Sequence, residues 1–187
     1  MANQEVYVDN AQNFRAKLAV ADEVDNDMID WLSARGIDTL QQAYAEVDRV
    51  DWMIRLIKAC GVAVQRDQCV GLAADCAEHV LAAWQAKFPH DARPARAIGA
   101  AKSSSAECDA AANAAAEAAL VGMNANDPLL VKAGSAAKAA AWAGFAAEME
   151  HPYYLDFARY AARCAVEAAD SPTAEMRWQM DCLRRWF

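Results

Sequence analysis

The sequence FPHDARPARAIGAAKSSSAECDAAANAAAEAALV, residues 88–121, decides the fold. A short polar turn leads to Arg93-Pro94, and proline suits the first turn of a helix because its missing N–H would have no partner there. Asp91 lies just upstream, where its carboxylate accepts first-turn N–H groups and complements the helix dipole. We therefore predict a long alanine-rich helix that runs towards Gly122. The run Ser103-Ser104-Ser105 is either a polar face of this helix or a break in it.

Composition favours an all-α protein. Alanine, the residue with the highest helix propensity, occurs 47 times in 187 residues, whereas glycine and proline occur 7 and 5 times. Small side chains let helix axes approach closely, and the length suits one domain with a substantial core. We predict a single-domain bundle of about seven to eight helices, with alanine-rich close packing, over residues 1–187. It would comprise an acidic N-terminal segment at 1–37 and a helical core at 38–187.

Capping residues and prolines predict where the helices begin and end. In the first third, Asp25 is expected to cap a short helix that ends at Gly36, and Asp38 or Thr39 to cap the next helix. Residues 1–10 are expected to form a loose lead-in or a short strand. The other predicted helices cover residues 10–21, 48–60 and 63–87 and the stretches after Arg93-Pro94, Asp127-Pro128, His151-Pro152 and Ser171-Pro172.

The net charge of −8 is concentrated at the start of the sequence. Residues 1–51 contain 11 acidic and four basic residues, whereas the remaining residues are almost neutral. Direct nucleic-acid binding is disfavoured, since contact with phosphates requires a basic surface. An acidic surface instead favours a basic protein partner, whose association it would steer electrostatically. The alternative is that this charge only aids solubility.

Membrane and export signals are absent from the sequence pattern. The most apolar run, Ala139–Ala147, is far shorter than the roughly 20 residues of a membrane-spanning helix, and the N-terminus does not resemble a signal peptide. We therefore expect a cytoplasmic protein that does not engage a membrane. The cysteines form no CxxC pair and lie in helical patterns, which predicts buried, reduced thiols. They are Cys60, Cys69, Cys76, Cys108, Cys164 and Cys182.

The patterns of enzymes and metalloproteins are weak in this sequence. Cys69, Cys76 and His79 share a helical face, but a structural zinc site usually needs four ligands. The pair His90-Asp91 lacks a nucleophile, and the serines at 103–105 lack the strand-to-helix turn of a nucleophile elbow. No glycine-rich phosphate loop occurs. We predict no catalytic activity, no metal and no other cofactor.

An aromatic cluster at Tyr153, Tyr154, Phe157 and Tyr160 has two interpretations. Aromatic clusters are enriched in binding hot spots. The helical spacing of Phe157 and Tyr160 instead favours the protein core. The C-terminal aromatic pair, Trp186-Phe187, has the same two interpretations.

Several stretches together resemble a known family. The most specific is the Asp-x-Arg-Pro-x-x-Ala-Ile box at residues 91–98. The others are Thr39-Leu40-Gln-Gln-Ala43-Tyr44, Asp51-Trp52-Met53-Ile54, Ala73-Ala74-Asp-Cys76-Ala77 and Glu175-Met-Arg-Trp178-Gln179. Over residues 38–187 the chain resembles the immunity proteins of bacterial polymorphic toxin systems, which are all-helical and of about this length. The resemblance implies a non-enzymatic protein that neutralises another protein by binding it.

The resemblance leaves the partner open. The chain departs from the family pattern at Tyr44, at Arg55 and at the serine run of residues 103–105, and its first 37 residues find no clear match. Similar proteins also occur in phages and mobile elements, where a host defence system is a possible target. The resemblance supplies no catalytic residues.

Our first hypothesis is therefore an inhibitor of the immunity-protein type that binds a basic toxin or effector protein through its acidic surface. The runner-up is a phage-encoded antagonist of a bacterial defence complex, anti-CRISPR-like, whose acidic surface mimics nucleic acid and engages a nucleoprotein complex. A small helical enzyme or metal protein is the third hypothesis. The residues expected to contact the partner are Asp22, Glu23, Asp25, Asp27, Asp30, Trp31, Asp48 and Asp51. The oligomeric state is not predicted.

Overall fold

A computed structural model describes residues 11–22, 24–103, 106–124, 126–150 and 152–187. The lead-in or strand predicted for residues 1–10 lies outside these ranges. Within them every regular element is an α-helix, which confirms the all-α prediction. The described residues form ten helices, so the predicted number of seven to eight is too low.

The chain divides into two compact units, residues 1–63 and 64–187. The helices of the first unit are α1 (Ala11–Val20), α2 (Asn26–Ala34), α3 (Leu40–Glu46) and α4 (Val50–Ala59). Those of the second are α5 (Arg66–Lys87), α6 (Arg93–Ser103), α7 (Cys108–Met123), α8 (Pro128–Glu148), α9 (Tyr153–Ala168) and α10 (Pro172–Trp186). The single-domain organisation and the boundary after residue 37 stay predictions.

The stretch at residues 88–121 forms α6 and α7 instead of one long helix. Its start is as predicted, because Asp91 Oδ1 accepts the backbone N–H of Arg93 at 3.1 Å. At the end of α6, the Ser103 hydroxyl donates to the carbonyls of Gly99 and Ala100 at 3.0 and 3.1 Å. Serine side chains compete in this way for backbone groups, which favours a helix break at this point.

The predicted capping residues act as expected. Asp25 accepts the N–H three residues further on at 2.9 Å, and Thr39 does the same at 3.1 Å. Gly36 and Gly61 follow α2 and α4 with φ of +65° and +66°, values that glycine adopts without steric penalty. Asp127 and Ser171 cap α8 and α10, each followed by proline.

Each unit has its own buried apolar residues. In the first unit, α4 contributes most of them: Val50, Trp52, Met53, Ile54, Leu56 and Ile57. In the second unit, α8 contacts α5, α6, α7 and α9, and 12 of its 21 residues are buried, mostly alanines. A helix surrounded in this way must carry small side chains, which explains the alanine-rich sequence. None of the helices described is both long and apolar enough to span a bilayer.

The backbones of α7 and α8 touch where Gly122 faces Gly134. A Cβ atom added to Gly122 would lie 2.4 Å from the carbonyl oxygen of Leu130 and 2.6 Å from the nitrogen of Gly134. A Cβ atom added to Gly134 would lie 2.7 Å from the nitrogen of Met123. Because these neighbours are backbone atoms, which cannot move aside independently, only glycine fits at this crossing.

All six cysteines are buried, as predicted, and none of them is bonded in a disulfide. Burial raises the pKa of Cys69 from its ordinary value of 9.0 to about 12, and that of Cys164 to about 11. Between pH 9 and these values, the folded chain keeps protons that the unfolded chain releases. The stability that these protonated thiols contribute is therefore fully present below pH 9 and is lost as pH rises through this window.

Replacing Cys69 by alanine is expected to flatten this alkaline loss of stability. Urea unfolding at several values between pH 7 and 10.5 measures the free energy of unfolding. Above pH 9 the wild-type curve should fall more steeply than that of Cys69→Ala, by up to about 1.4 kcal/mol per pH unit, which is the contribution of one buried thiol. Equal slopes for the two proteins would contradict the proposed role of this thiol.

Candidate functional site

The predicted contact residues lie in the first unit, on α2, in the loops beside it and at the start of α4. Four of the predicted carboxylates are both exposed and without an ion-pair partner among the described residues. They are those of Asp22, Asp27, Asp30 and Asp48. Glu23, the other acidic residue predicted for this surface beside Asp22, lies outside the described residues. We call Asp22, Asp27, Asp30 and Asp48 the open carboxylates.

Asp25 and Asp51 differ from the open carboxylates because both have partners within the unit. Asp25 caps α2 and lies 2.7 Å from the Nη1 atom of Arg55. Asp51 accepts hydrogen bonds from Nε and Nη2 of Arg49 at 3.1 and 2.7 Å. That hydrogen bond raises the pKa of Arg49 above its usual range. These two aspartates therefore stabilise the unit, and their negative charge is partly neutralised.

Trp31 belongs to a group of rings and guanidinium groups that joins α2 to α4. Its ring meets that of Trp52 edge to face, with centroids 5.6 Å apart and planes at 78°. The guanidinium of Arg35 lies 4.1 Å from the Trp31 centroid, and that of Arg49 lies 4.5 Å from the Trp52 centroid. Trp52 is buried and Trp31 is half-buried. We call these four residues the tryptophan–arginine cluster. It holds Trp31 as a rigid, partly exposed aromatic surface beside the open carboxylates.

The metal-ligand and catalytic patterns considered in the sequence are not assembled in the structure. Cys69 and Cys76 are buried, whereas His79 is exposed and bonds to a glutamate. In the described ranges, no three His, Cys, Asp or Glu side chains lie close enough together to hold a metal ion. His90 is exposed, and its neighbour Asp91 pairs with Arg93, whose hydrogen bonds lower the pKa of that carboxyl.

The aromatic residues of α9 divide between the two interpretations. Tyr154 is buried, and its hydroxyl donates to the carbonyl of Val64 at 2.8 Å. Phe157 and Tyr160 are half-buried and pack against Trp142, with centroids 5.3 and 5.2 Å from it. Tyr153 is 60% exposed. Tyr154 therefore belongs to the core, while the others form its margin.

The C-terminal tryptophan packs within the second unit. Trp186 lies over Gly71 of α5, so closely that a Cβ atom at that glycine would be 2.3 Å from the indole ring. Its indole N–H donates to Asp75 at 3.0 Å, and the Gln68 side chain donates to its carbonyl. For Trp186, the structure thus favours the core interpretation over a contact site.

The second unit contains a polar arrangement that no sequence motif predicted. Nδ1 of His79 on α5 lies 2.6 Å from Oε2 of Glu175 on α10. Glu175 is only 3% exposed, and its other oxygen accepts a hydrogen bond from Gln179 at 2.9 Å. The His79 ring also stacks on Trp178, with centroids 3.7 Å apart and planes 7° apart. The carboxylate and the stacked ring together fix the orientation of the imidazole.

This pair forms part of an open cleft of about 660 Å³ within the second unit, which we call the His79 cleft. Such a volume is within the range of small-molecule sites. Ser171 also lines the cleft, but its hydroxyl oxygen accepts a backbone N–H at the start of α10 and is not hydrogen-bonded to a basic side chain among the described residues. Without an activated nucleophile, the cleft suits ligand binding better than nucleophilic catalysis.

A sequence signal for Glu175 exists, although it is weak. Glu175, Gln179, Cys182 and Leu183 follow each other at helical spacing and form a buried stripe of α10. A glutamate and a glutamine in such a stripe need polar partners, because burying an unpaired polar group is unfavourable and burying an unpaired charge is more so. Nothing in the sequence names that partner, since His79 is 96 positions away.

Comparison with known proteins does not place the chain in a family. No protein-family model, no curated protein and no solved structure matches it. The chain itself offers two candidate surfaces. One is formed by the open carboxylates and the tryptophan–arginine cluster, and the other is the His79 cleft.

Proposed function

We propose that this chain is a non-enzymatic inhibitor of the immunity-protein type, which acts in the cytoplasm. It binds a toxin or effector protein that presents a basic surface, and it covers the part of that surface on which activity depends. The contact is made by the open carboxylates and Trp31, and Glu23, the next residue after Asp22 in the sequence, contributes its charge. Asp25 and Asp51 support the contact from within the unit.

The observation that carries this proposal is the position of Trp31. A half-buried tryptophan held by a second ring and by the guanidinium of Arg35 loses little side-chain entropy when a partner covers it. Asp27 and Asp30 are exposed on the same short helix and lack ion-pair partners among the described residues. Exposed charge accelerates the encounter with a basic partner, and the aromatic surface then slows dissociation.

A protein partner suits this surface better than the binding groove of a nucleoprotein complex. A mimic of nucleic acid would present negative charge without interruption. Here Arg35 and Arg49 lie over the two tryptophan rings, among the carboxylates. A defence nucleoprotein complex remains the alternative target, and the identity of the captured partner distinguishes it from a toxin.

Reversing three of the open carboxylates is expected to abolish rapid partner binding. The variant Asp22→Lys/Asp27→Lys/Asp30→Lys leaves Asp25 unchanged, since that residue caps α2. Wild type and variant, each immobilised, are used to capture proteins from a bacterial lysate, and the captured protein is then purified for stopped-flow measurement. We expect its association rate to fall at least tenfold in the variant, with a flatter dependence on salt, because electrostatic steering is lost.

The matched control reverses three exposed glutamates of the second unit, in the variant Glu117→Lys/Glu148→Lys/Glu150→Lys. It changes the net charge equally and should leave the association rate within about twofold of wild type. If the two triple variants lowered the association rate equally, the proposal of a defined contact surface would be wrong. Capture of a nucleoprotein complex in place of a basic toxin would favour the antagonist of a defence system.

A further inference from the structure

We propose that the His79 cleft binds a small organic anion with an apolar body, such as a medium-chain carboxylate. This site is separate from the protein contact proposed above, which lies in the first unit. Its ligand would be taken up by α5, α8 and α10 within the second unit.

The walls of the cleft select for an apolar body. Most of the lining side chains on α5, α8, α9 and α10 are alanine methyl groups or other apolar groups, among them Val80, Leu129 and the ring of Trp178. Leu129 is 55% exposed, which is high for a large apolar side chain. A hydrocarbon chain that covered it would remove apolar surface from water, which favours binding.

The charges of the cleft select for an anionic head group. The two carboxylates at the cleft are already engaged, that of Glu175 by Gln179 and His79 and that of Asp170 by Lys132 at 2.8 Å. Lys87, at the end of α5, lines the cleft, and its ammonium group has no ion-pair partner among the described residues. It is therefore the group that attracts an anion.

His79 supplies a second, oriented contact for the head group in its imidazolium form, in which Nδ1–H is donated to Glu175 and Nε2–H remains for the anion. Its Nδ1 atom faces Glu175, so the imidazole presents Nε2 on the opposite side of the ring, where no described residue bonds to it. The stack on Trp178 prevents the ring from turning. A polar group fixed before binding gives directional recognition with little loss of side-chain freedom.

The test compares three ligands of equal chain length: octanoate, octanol and octylammonium. Each is titrated into the full-length protein while the tryptophan indole N–H signals are followed by NMR, with the Trp178 signal assigned from Trp178→Phe. Octanoate should shift that signal saturably with one-to-one stoichiometry and a dissociation constant on the order of 1 mM, as expected for so small a ligand. Octanol and octylammonium should bind at least tenfold more weakly.

Two variants with the same chemical change locate the head group. Lys87→Met removes the cation at the cleft and should weaken octanoate binding to the level of octanol. Lys138→Met removes a lysine of α8 that does not line the cleft, and it should leave the affinity within about twofold of wild type. Ala86→Trp, at an exposed position on the cleft wall, should abolish binding by filling the space.

Three results would overturn the proposal. The first is an unshifted Trp178 signal at 10 mM octanoate, which is about ten times the expected dissociation constant. The second is that the protein binds octanoate and octylammonium with equal affinity. The third is that Lys87→Met and Lys138→Met bind octanoate with equal affinity. None of these results bears on the charge-reversal experiment, which concerns the first unit.

Discussion

Gly122→Ala is expected to lower the free energy of unfolding by about 3 kcal/mol, which is the upper end of the usual range for overpacking. The new methyl group would have to occupy space held by the backbone of α8, with the nearest atom, the carbonyl oxygen of Leu130, only 2.4 Å away. The two helices must separate to accommodate it, which loosens the contacts that α8 makes along α7. Thermal unfolding followed by circular dichroism should show a melting temperature about 6–12 °C below wild type.

Gly99→Ala is the matched control for this substitution. Gly99 lies in α6, is exposed, and has no atom within 4 Å of an added Cβ. Alanine is the better helix former, so this variant should unfold at the wild-type temperature or above it, with a gain of up to about 1 kcal/mol. If both variants melted at the wild-type temperature, the close crossing of α7 and α8 would be wrong.

Trp84→Ala is expected to remove about 3–5 kcal/mol of stability, as truncations of buried aromatic residues usually do. Trp84 is 1% exposed and packs against Phe88, with ring centroids 4.2 Å apart and planes at 32°. Its indole N–H donates to the carbonyl of Asp91 at 3.0 Å, which ties the end of α5 to the turn that starts α6. Alanine would leave a cavity and an unpaired carbonyl, and urea unfolding measures the combined loss.

The conservative variant Trp84→Phe separates these two contributions. Phenylalanine retains an aromatic ring against Phe88 but lacks the N–H group that bonds to Asp91. The expected loss is about 1–2 kcal/mol, from one hydrogen bond and a smaller ring. A free energy of unfolding of Trp84→Ala within 1 kcal/mol of the wild-type value would show that this residue does not hold α5 to the turn.

Helix starts were predictable from the sequence because caps act over a few residues. Asp25, Thr39, Asp127 and Ser171 each accept a backbone N–H two or three positions further on, and that geometry depends only on local sequence. The division of residues 93–123 into α6 and α7 was less clear. Alanine favours helix throughout, so only the serine run indicated a break, and a polar helix face was an equally valid interpretation.

The candidate sites were predictable only in part. Exposed carboxylates follow from an excess of acidic residues, so the surface of α2 could be proposed from composition. The Arg55 partner of Asp25 and the contact between Trp31 and Trp52 could not, because the pairing of α2 with α4 is tertiary. The contact between His79 and Glu175 was beyond prediction for the same reason.

The surroundings of α8 restrict how this sequence can change over evolutionary time. A position enclosed by four neighbouring helices accepts exchanges among alanine, glycine, serine and cysteine, since these differ little in volume, but rejects larger replacements. Lineages descended from this chain would therefore vary freely on their exteriors while α8 retained its small residues. Relatives of this chain would therefore be easier to recognise by the aspartate, threonine and serine residues that begin the helices than by the alanines within them.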